Sequence, residues 1–255
     1  MGWWKKKRTY AVEVGACTDV GQVRSENQDA YGFFPASTDQ QAKERLFVVA
    51  DGMGGHARGA EASQLAVDVM HKAFFAGHKW SVEERLRSAF DAANARVYEL
   101  GRTGPAHETM GTTCTVLALV DGHLHMAHVG DSRAYRVDKN GMQQLTQDHT
   151  LVEELRRQGV LTAAEARTHP RRHALTRALG IQPELEVDLH DAVPVESEQA
   201  YLLCSDGLAP VSEEEIWQVI LTEPPQKACD RLVQMANERG GPDNITVLIV
   251  SIDWP

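Results

Sequence analysis

The chain has no cysteines at a spacing that would bind metal or staple a small fold. Cys17, Cys114, Cys204 and Cys229 are scattered without a CxxC pair, which argues against a zinc cluster or a disulfide framework and fits a reducing cytoplasm. Cys114 and Cys204 lie inside apolar runs and read as small core residues. No apolar stretch reaches the roughly 18 residues of a membrane span, so no stable membrane insertion is expected. The opening Met1-Gly2-Trp3-Trp4-Lys5-Lys6-Lys7-Arg8 is basic, but no apolar segment follows it, so it is not a secretory signal. Lys6 stands where a myristoylation site needs Ser or Thr. Residues 1–9 are read as a basic, aromatic, flexible tail.

Positive charge is also scarce. Lys plus Arg number 26 against 36 Asp plus Glu, a formal charge of −10, which opposes affinity for nucleic-acid phosphates. The patterns GxxxxGK[ST], GxGxxG, GxSxG and HExxH are missing, so a nucleotide-binding P-loop, a serine-hydrolase elbow and a zinc protease helix find no support. Low-complexity linkers and internal repeats are absent too. With 42% hydrophobic and 24% charged residues, residues 10–253 read as one globular domain large enough to bury a sizeable core.

What the chain does have is a set of short hydrophobic runs bounded by aspartate. Leu46–Ala50 ends at Asp51, Met126–Gly130 at Asp131 and Tyr201–Ser205 at Asp206, while Asp243 precedes Asn244–Val250. Runs this short and rich in branched residues read as buried strands. An aspartate at one strand end is an ordinary turn residue. Four of them on strands of a shared sheet would gather carboxylates at one rim, where mutual repulsion calls for a hard divalent cation such as Mg²⁺ or Mn²⁺.

The surrounding pattern predicts an α+β fold. Strands are expected at 12–18, 112–120, 123–129, 132–137, 185–189, 200–205 and 245–252, besides the one ending at Asp51. Asp121-Gly122 suits a type I′ hairpin turn, and Asn140-Gly141 marks another. Helices are expected at 60–76, from the Ser81/Glu84 capping box to about 100, and at 212–221 and 225–239. Helix blocks inserted among hairpin-linked strands indicate antiparallel sheets with helices outside. Residues 148–180, polar and rich in Arg and His, read as a flap beside the sheet.

Several candidate sites keep two readings at this level. Asp51-Gly52-Met53-Gly54-Gly55-His56 is either a tight turn capping a helix or a place where a backbone carbonyl approaches a metal, since glycine permits close contact. Arg24-Ser25-Glu26-Asn27-Gln28-Asp29 is either a solvated loop or a guanidinium placed to grip phosphate beside metal-bound carboxylates. Asp131 is either a turn residue or a further ligand. His123 and His125 alternate along a strand without a third nitrogen ligand and read as sheet residues.

In order along the chain, these segments resemble the metal-dependent Ser/Thr protein phosphatases known as the PP2C or PPM family, in its short bacterial form. The matching pieces are Thr18-Asp19-Val20-Gly21 with Arg24 and Asn27-Gln28-Asp29, Asp51 to His56, Gly111-Thr112-Thr113, Gly130-Asp131-Ser132-Arg133, Leu175 to Gly180, Ser205-Asp206-Gly207-Leu208, and Asp243-Asn244-Ile245-Thr246. The resemblance implies an αββα sandwich of two packed antiparallel sheets, with two Mn²⁺ or Mg²⁺ ions in a cleft at one end. It implies that Asp51 bridges both ions, that Gly52 supplies a carbonyl, and that Asp206 and Asp243 complete the ligands. Asp29 and Asp19 would hold metal-bound waters, Asp131 would serve a third ion, and Arg24 would bind the substrate phosphate.

Three positions depart from the family pattern. Met53 replaces the histidine of animal enzymes, so His56 or a metal-bound water is the candidate proton donor. Gln28 replaces a common glutamate, and His173 stands in the flap where asparagine is expected. The resemblance further implies an enzyme acting on phosphoserine and phosphothreonine in proteins and opposing a Ser/Thr kinase; the cysteine usage fits a cytoplasmic location, nothing requires more than a monomer, and the acidic balance argues against nucleic-acid partners. The alternatives are a catalytically weak regulatory or binding module and a hydrolase of another phosphoester.

Overall fold

The computed structural model describes residues 11–35, 42–54, 58–103 and 110–253. Residues 1–9, read above as a tail, and His56 lie outside the described residues. Among the described residues eleven strands form two sheets. The strands are β1 (Ala11–Asp19), β2 (Asp29–Phe34), β3 (Glu44–Met53), β4 (Gly111–Thr112), β5 (Cys114–Val120), β6 (His123–Val129), β7 (Arg133–Asp138), β8 (Gly141–Gln144), β9 (Asp188–Pro194), β10 (Gln199–Cys204) and β11 (Ile245–Asp253). One sheet has the order β1-β11-β10-β7-β8, the other β2-β3-β5-β6-β9 with β4 beside β3. All pairings are antiparallel.

Side-chain alternation along the central strands explains the layers. In β3, Leu46, Val48 and Ala50 pack toward helices α1 (Arg58–Ala76) and α2 (Val82–Thr103), whereas Phe47 and Val49 face the opposite sheet. In β11, Ile245, Val247 and Ile249 pack toward α5 (Glu213–Thr222) and α6 (Pro225–Glu238), whereas Leu248, Val250 and Ile252 face inward. Successive strand residues point to opposite faces, so a strand covered on both faces must be apolar throughout, which is why these runs are unbroken in sequence. Helix pair, sheet, sheet, helix pair is the expected αββα sandwich.

The turn chemistry follows the sequence. Asp121 and Gly122 both have positive φ, at 48° and 76°, as a type I′ turn demands. Ser81 and Glu84 cap α2 reciprocally, with Ser81 N donating to Glu84 Oε2 at 2.8 Å and Glu84 N donating to Ser81 Oγ at 3.3 Å. Two elements differ from expectation. Strand β2 is not among the expected strands and forms because its pairing with β3 supplies the hydrogen bonds. The strand expected at 185–189 lies instead at Asp188–Pro194, where it pairs with β6 across a register irregularity between Leu124 and Met126. The 148–180 segment forms two short helices, α3 (Leu151–Arg157) and α4 (Ala163–Thr168). It is tied to the sheets where His149 N donates to Gly130 O and Leu179 pairs with Thr112.

Candidate metal centre

Antiparallel register brings the aspartates to one end of the sandwich. Asp51, at the end of β3, stands directly opposite Asp29, the first residue of β2. Asp206 opens a 3₁₀ turn immediately after β10, and Asp243 lies just before the neighbouring β11. Asp131 sits in the turn joining β6 to β7. Asp51, Gly52, Asp131, Asp206 and Asp243 all line one cleft of about 890 Å³, together with Arg24 and His173.

The backbone around Asp51 is held by short polar contacts. Asp51 N donates to Thr113 Oγ1 at 2.9 Å, Thr113 N donates to Asp51 O at 2.9 Å, and Thr112 Oγ1 donates to the same carbonyl at 3.0 Å. Gly52 N donates to the Gln28 carbonyl, which also accepts from Ser63 Oγ in α1 at 2.6 Å. A Cβ at position 52 would collide with the Gly59 carbonyl, so the close approach of α1 to this turn requires glycine. Asn244 staples the loop before β2 to the start of β11. Its Oδ1 accepts from Gln28 N at 2.9 Å, while its Nδ2 donates to the Val20 and Glu26 carbonyls. Ser205 Oγ donates to Asp29 Oδ2 at 2.6 Å and accepts from Thr246 N at 2.9 Å. Thr113, Asn244 and Ser205 thus build the site, and all three fall within the segments that carry the resemblance; only the tertiary contacts show what each of them holds.

The electrostatics call for a cation. Burial, and then the charges of Asp29, Asp206, Asp131 and Asp243, hold the Asp51 carboxyl well above its ordinary range. Burial raises Asp29 to about 6 and Asp131 to about 7, with Asp206 the charge that contributes most to both. Carboxylates rise in this way when they are desolvated beside like charges. Two oxygens, Asp29 Oδ1 and Asp206 Oδ1, are buried without a hydrogen-bond partner. Two basic side chains already sit on two of the acids. Arg24 Nη2 donates to Asp243 Oδ2 at 2.7 Å, and His173 Nδ1 lies 3.3 Å from Asp206 Oδ2. That contact with Asp206 raises the His173 pKa.

An all-oxygen donor set of this kind fits hard divalent ions and not zinc. Among the described residues no group of three or more His, Cys, Asp or Glu side chains stands close enough to hold a metal ion; the carboxylates are spread along the rim of the cleft. An open rim matches ions that keep several waters in their coordination shell. Asp19 is placed differently from its neighbours and does not line the cleft. Its Oδ1 accepts from Gly21 N at 2.8 Å and from Asn237 Nδ2 at 3.0 Å, which ties the end of β1 to α6. His123 and His125 stand in β6 opposite Val120 and Ala118, away from the cleft. Among the described residues no helix is long and apolar enough to cross a membrane.

Comparison with known proteins agrees with this geometry. The sequence profile of the family described as "Protein phosphatase 2C" matches residues 21–246. The chain is 37% identical over 248 residues to protein phosphatase PhpP of Streptococcus pneumoniae, covering 95% of this chain and 98% of that one. It is 36% identical to a serine/threonine phosphatase, stp, of Listeria monocytogenes, covering 92% and 94%. Among solved structures, the PstP/Ppp phosphatase of Mycobacterium tuberculosis superposes with a TM-score of 0.85 at 34% identity, covering 95% of this chain and 99% of that one. A PstP catalytic domain in complex with two manganese ions gives a TM-score of 0.83 at 33% identity, covering 96% and 100%. With a profile match over most of its length and relatives above 30% identity along nearly the whole chain, this protein belongs to the PP2C family of metal-dependent serine/threonine protein phosphatases.

Proposed function

We propose that the cleft hydrolyses phosphoserine and phosphothreonine in proteins with two divalent ions, Mn²⁺ or Mg²⁺, held by Asp51, the Gly52 carbonyl, Asp206 and Asp243. Asp131 serves a third, accessory ion, and Asp29 orients coordinated water. Asp19, committed to the end of β1, acts at most through the framework around Asp243. The observation that carries this reading is the convergence on buried Asp51 of four further carboxylates, two of which present buried oxygens with no hydrogen-bond partner.

Bound ions would supply an activated water for in-line attack at phosphorus and would neutralise phosphoryl charge. The chain's residues do the rest. Asp51, fixed through both its N–H and its C=O by Thr112 and Thr113, sets the centre of the site. Arg24 stands at the rim with a side chain 53% exposed, free to exchange its contact with Asp243 for a bidentate grip on a substrate phosphate. His173 lines the same cleft from the flap, its pKa raised by the contact with Asp206, and is a candidate, with His56, for protonating the leaving oxygen. Among the described residues no Cys lines the cleft, and Cys204 nearby is buried, its thiol pKa raised to about 12 by burial. Direct attack by water therefore suits the site better than a covalent phosphoenzyme.

The names of the relatives favour turnover over a purely binding role. The partners we assign are phosphorylated proteins and an opposing Ser/Thr kinase, for a monomer working in the cytoplasm. The test is phosphate release from a phosphothreonine peptide with Mn²⁺, with EDTA, and in Asp206→Asn. We expect EDTA-sensitive turnover that falls at least about 100-fold in the variant with its melting curve retained. Turnover in Asp206→Asn equal to that of the unaltered protein would remove the assigned site.

A further inference from the structure

A second groove of about 930 Å³ runs out of the catalytic cleft between the flap helices and the segment from the 3₁₀ turn into α5. It is continuous with the active site, since Asp131, His173 and Asp206 line both. Val152 from α3, with Leu208, Val211 and Ile216, gives it an apolar floor. Its flap wall carries Arg167 and Arg172, while Glu213 at the start of α5 lines the opposite side and Asp131 and Asp206 line the end that meets the cleft. Residues 148–180 contain six arginines against four acidic residues, a positive segment in a chain whose formal charge is −10.

The groove's charges are not all spent internally. Arg133 is held by Asp148, with Nη2 donating to Oδ2 at 2.7 Å, and Arg156 is held by Glu153 at 2.6 Å. Arg167 and Arg172 also line the groove and are exposed. Among the described residues neither makes a side-chain hydrogen bond or ion pair. The uncompensated charge along the flap wall is therefore two guanidinium groups, next to the place where a phosphorylated side chain would enter.

We infer that this groove binds the polypeptide flanking the phosphorylated residue and selects acidic side chains on that flank through Arg167 and Arg172. This rests on the proposed phosphatase reading of the cleft. The apolar floor accommodates the peptide chain, and the two arginines supply charge complementarity to Asp or Glu, the pairing that clusters of arginine provide in acidic-motif recognition. Because the rest of the surface is acidic, the preference comes from the flap wall and not from the field of the whole protein.

The test uses phosphothreonine peptides of one core sequence carrying three Glu, three Gln or three Lys on either side of the phosphoresidue. The readout is the ratio of kcat/KM between flanks, with Mn²⁺, at low and high salt. The unaltered protein should prefer the Glu flank over Gln on one side by about three- to tenfold, the range that two exposed ion pairs supply. The preference should shrink at high salt. In the double variant Arg167→Glu/Arg172→Glu the ratio should invert in favour of Lys, and in Arg167→Gln/Arg172→Gln it should approach one. Flank ratios within about twofold of one on both sides, or a Glu preference that survives the charge reversal, overturn the inference. Turnover of the Gln peptide by the unaltered protein is the separate control on the phosphatase reading. Should it fail, fluorescence anisotropy of the same labelled peptides decides the groove by the same ratios.

Discussion

Mn²⁺ should stabilise this protein strongly at alkaline pH and weakly at acid pH, by an amount set by its buried carboxylates. In the metal-free fold Asp29 titrates near 6 and Asp131 near 7, against 3.8 as the ordinary aspartate value. Between those values the folded protein holds protons that the unfolded chain has released, so metal-free stability rises as pH falls. From about pH 8 to about pH 5 the Asp29 shift corresponds to ~1.4 kcal/mol. Asp131 faces the open cleft on one side, and we discount its larger shift to a similar size, which brings the sum to about 3 kcal/mol. Asp51 adds to this in the same direction.

Bound metal requires these groups ionised, so this gain is absent from the loaded form and the stabilisation by Mn²⁺ must shrink by the same amount. The buried histidines cancel in the comparison. His128, pushed down to about 3 by burial, destabilises both forms alike as pH falls below about 6.5. Urea denaturation in EDTA and in saturating Mn²⁺, at several pH values across this range, gives the difference directly. We expect it to fall by about 3 kcal/mol or more, some 6–12 °C in Tm. A Mn²⁺ stabilisation constant across that range within about 0.5 kcal/mol would refute the assignment of Asp29, Asp51 and Asp131 to the metal centre.

Two further outcomes follow from the site. Arg24→Ala should lower kcat/KM for phosphopeptides about 10- to 100-fold while moving stability by less than about 0.5 kcal/mol, because its contact with Asp243 is an exposed pair; an unchanged kcat/KM would leave Arg24 without a role. Ser205→Ala removes a buried hydroxyl bonded to Asp29 Oδ2 and to Thr246 N and should cost about 1–3 kcal/mol by urea denaturation. It should also weaken Mn²⁺ binding in a calorimetric titration, and normal affinity would show that Asp29 needs no such support.

Much of the fold is legible in the chain because its central strands are buried on both faces. The runs at β3, β5, β10 and β11 are continuous and apolar for that reason, and the caps at Ser81 and the turn at Asp121-Gly122 rest on local hydrogen bonding. Strand β2 is not legible, because Asp29-Ala30-Tyr31-Gly32 lacks a clear alternation and becomes a strand only when β3 offers a partner. Strand β9 is displaced from its expected place for a related reason. Asp188-Leu189-His190-Asp191 is polar, and its register is set by β6, some 60 residues earlier in the chain.

The site divides in the same way. Sequence alone determines that carboxylates stand at the ends of hydrophobic runs, and the order of those segments identifies the family. Local chemistry suffices for this, because a strand must end in turn residues and a metal needs oxygen donors. Which carboxylate meets which is a matter of register and sheet order. Asp29 faces Asp51 because β2 pairs with β3, Asp206 and Asp243 are neighbours because β10 pairs with β11, and Asp19 is diverted to Asn237 at the end of α6. The pairing of Arg24 with Asp243 and of His173 with Asp206 joins residues far apart in the chain. Packing of the two sheets face to face sets Asp29 and Asp51 of one against Asp206 and Asp243 of the other, and that same packing desolvates Asp51 and makes the cleft attractive to a cation.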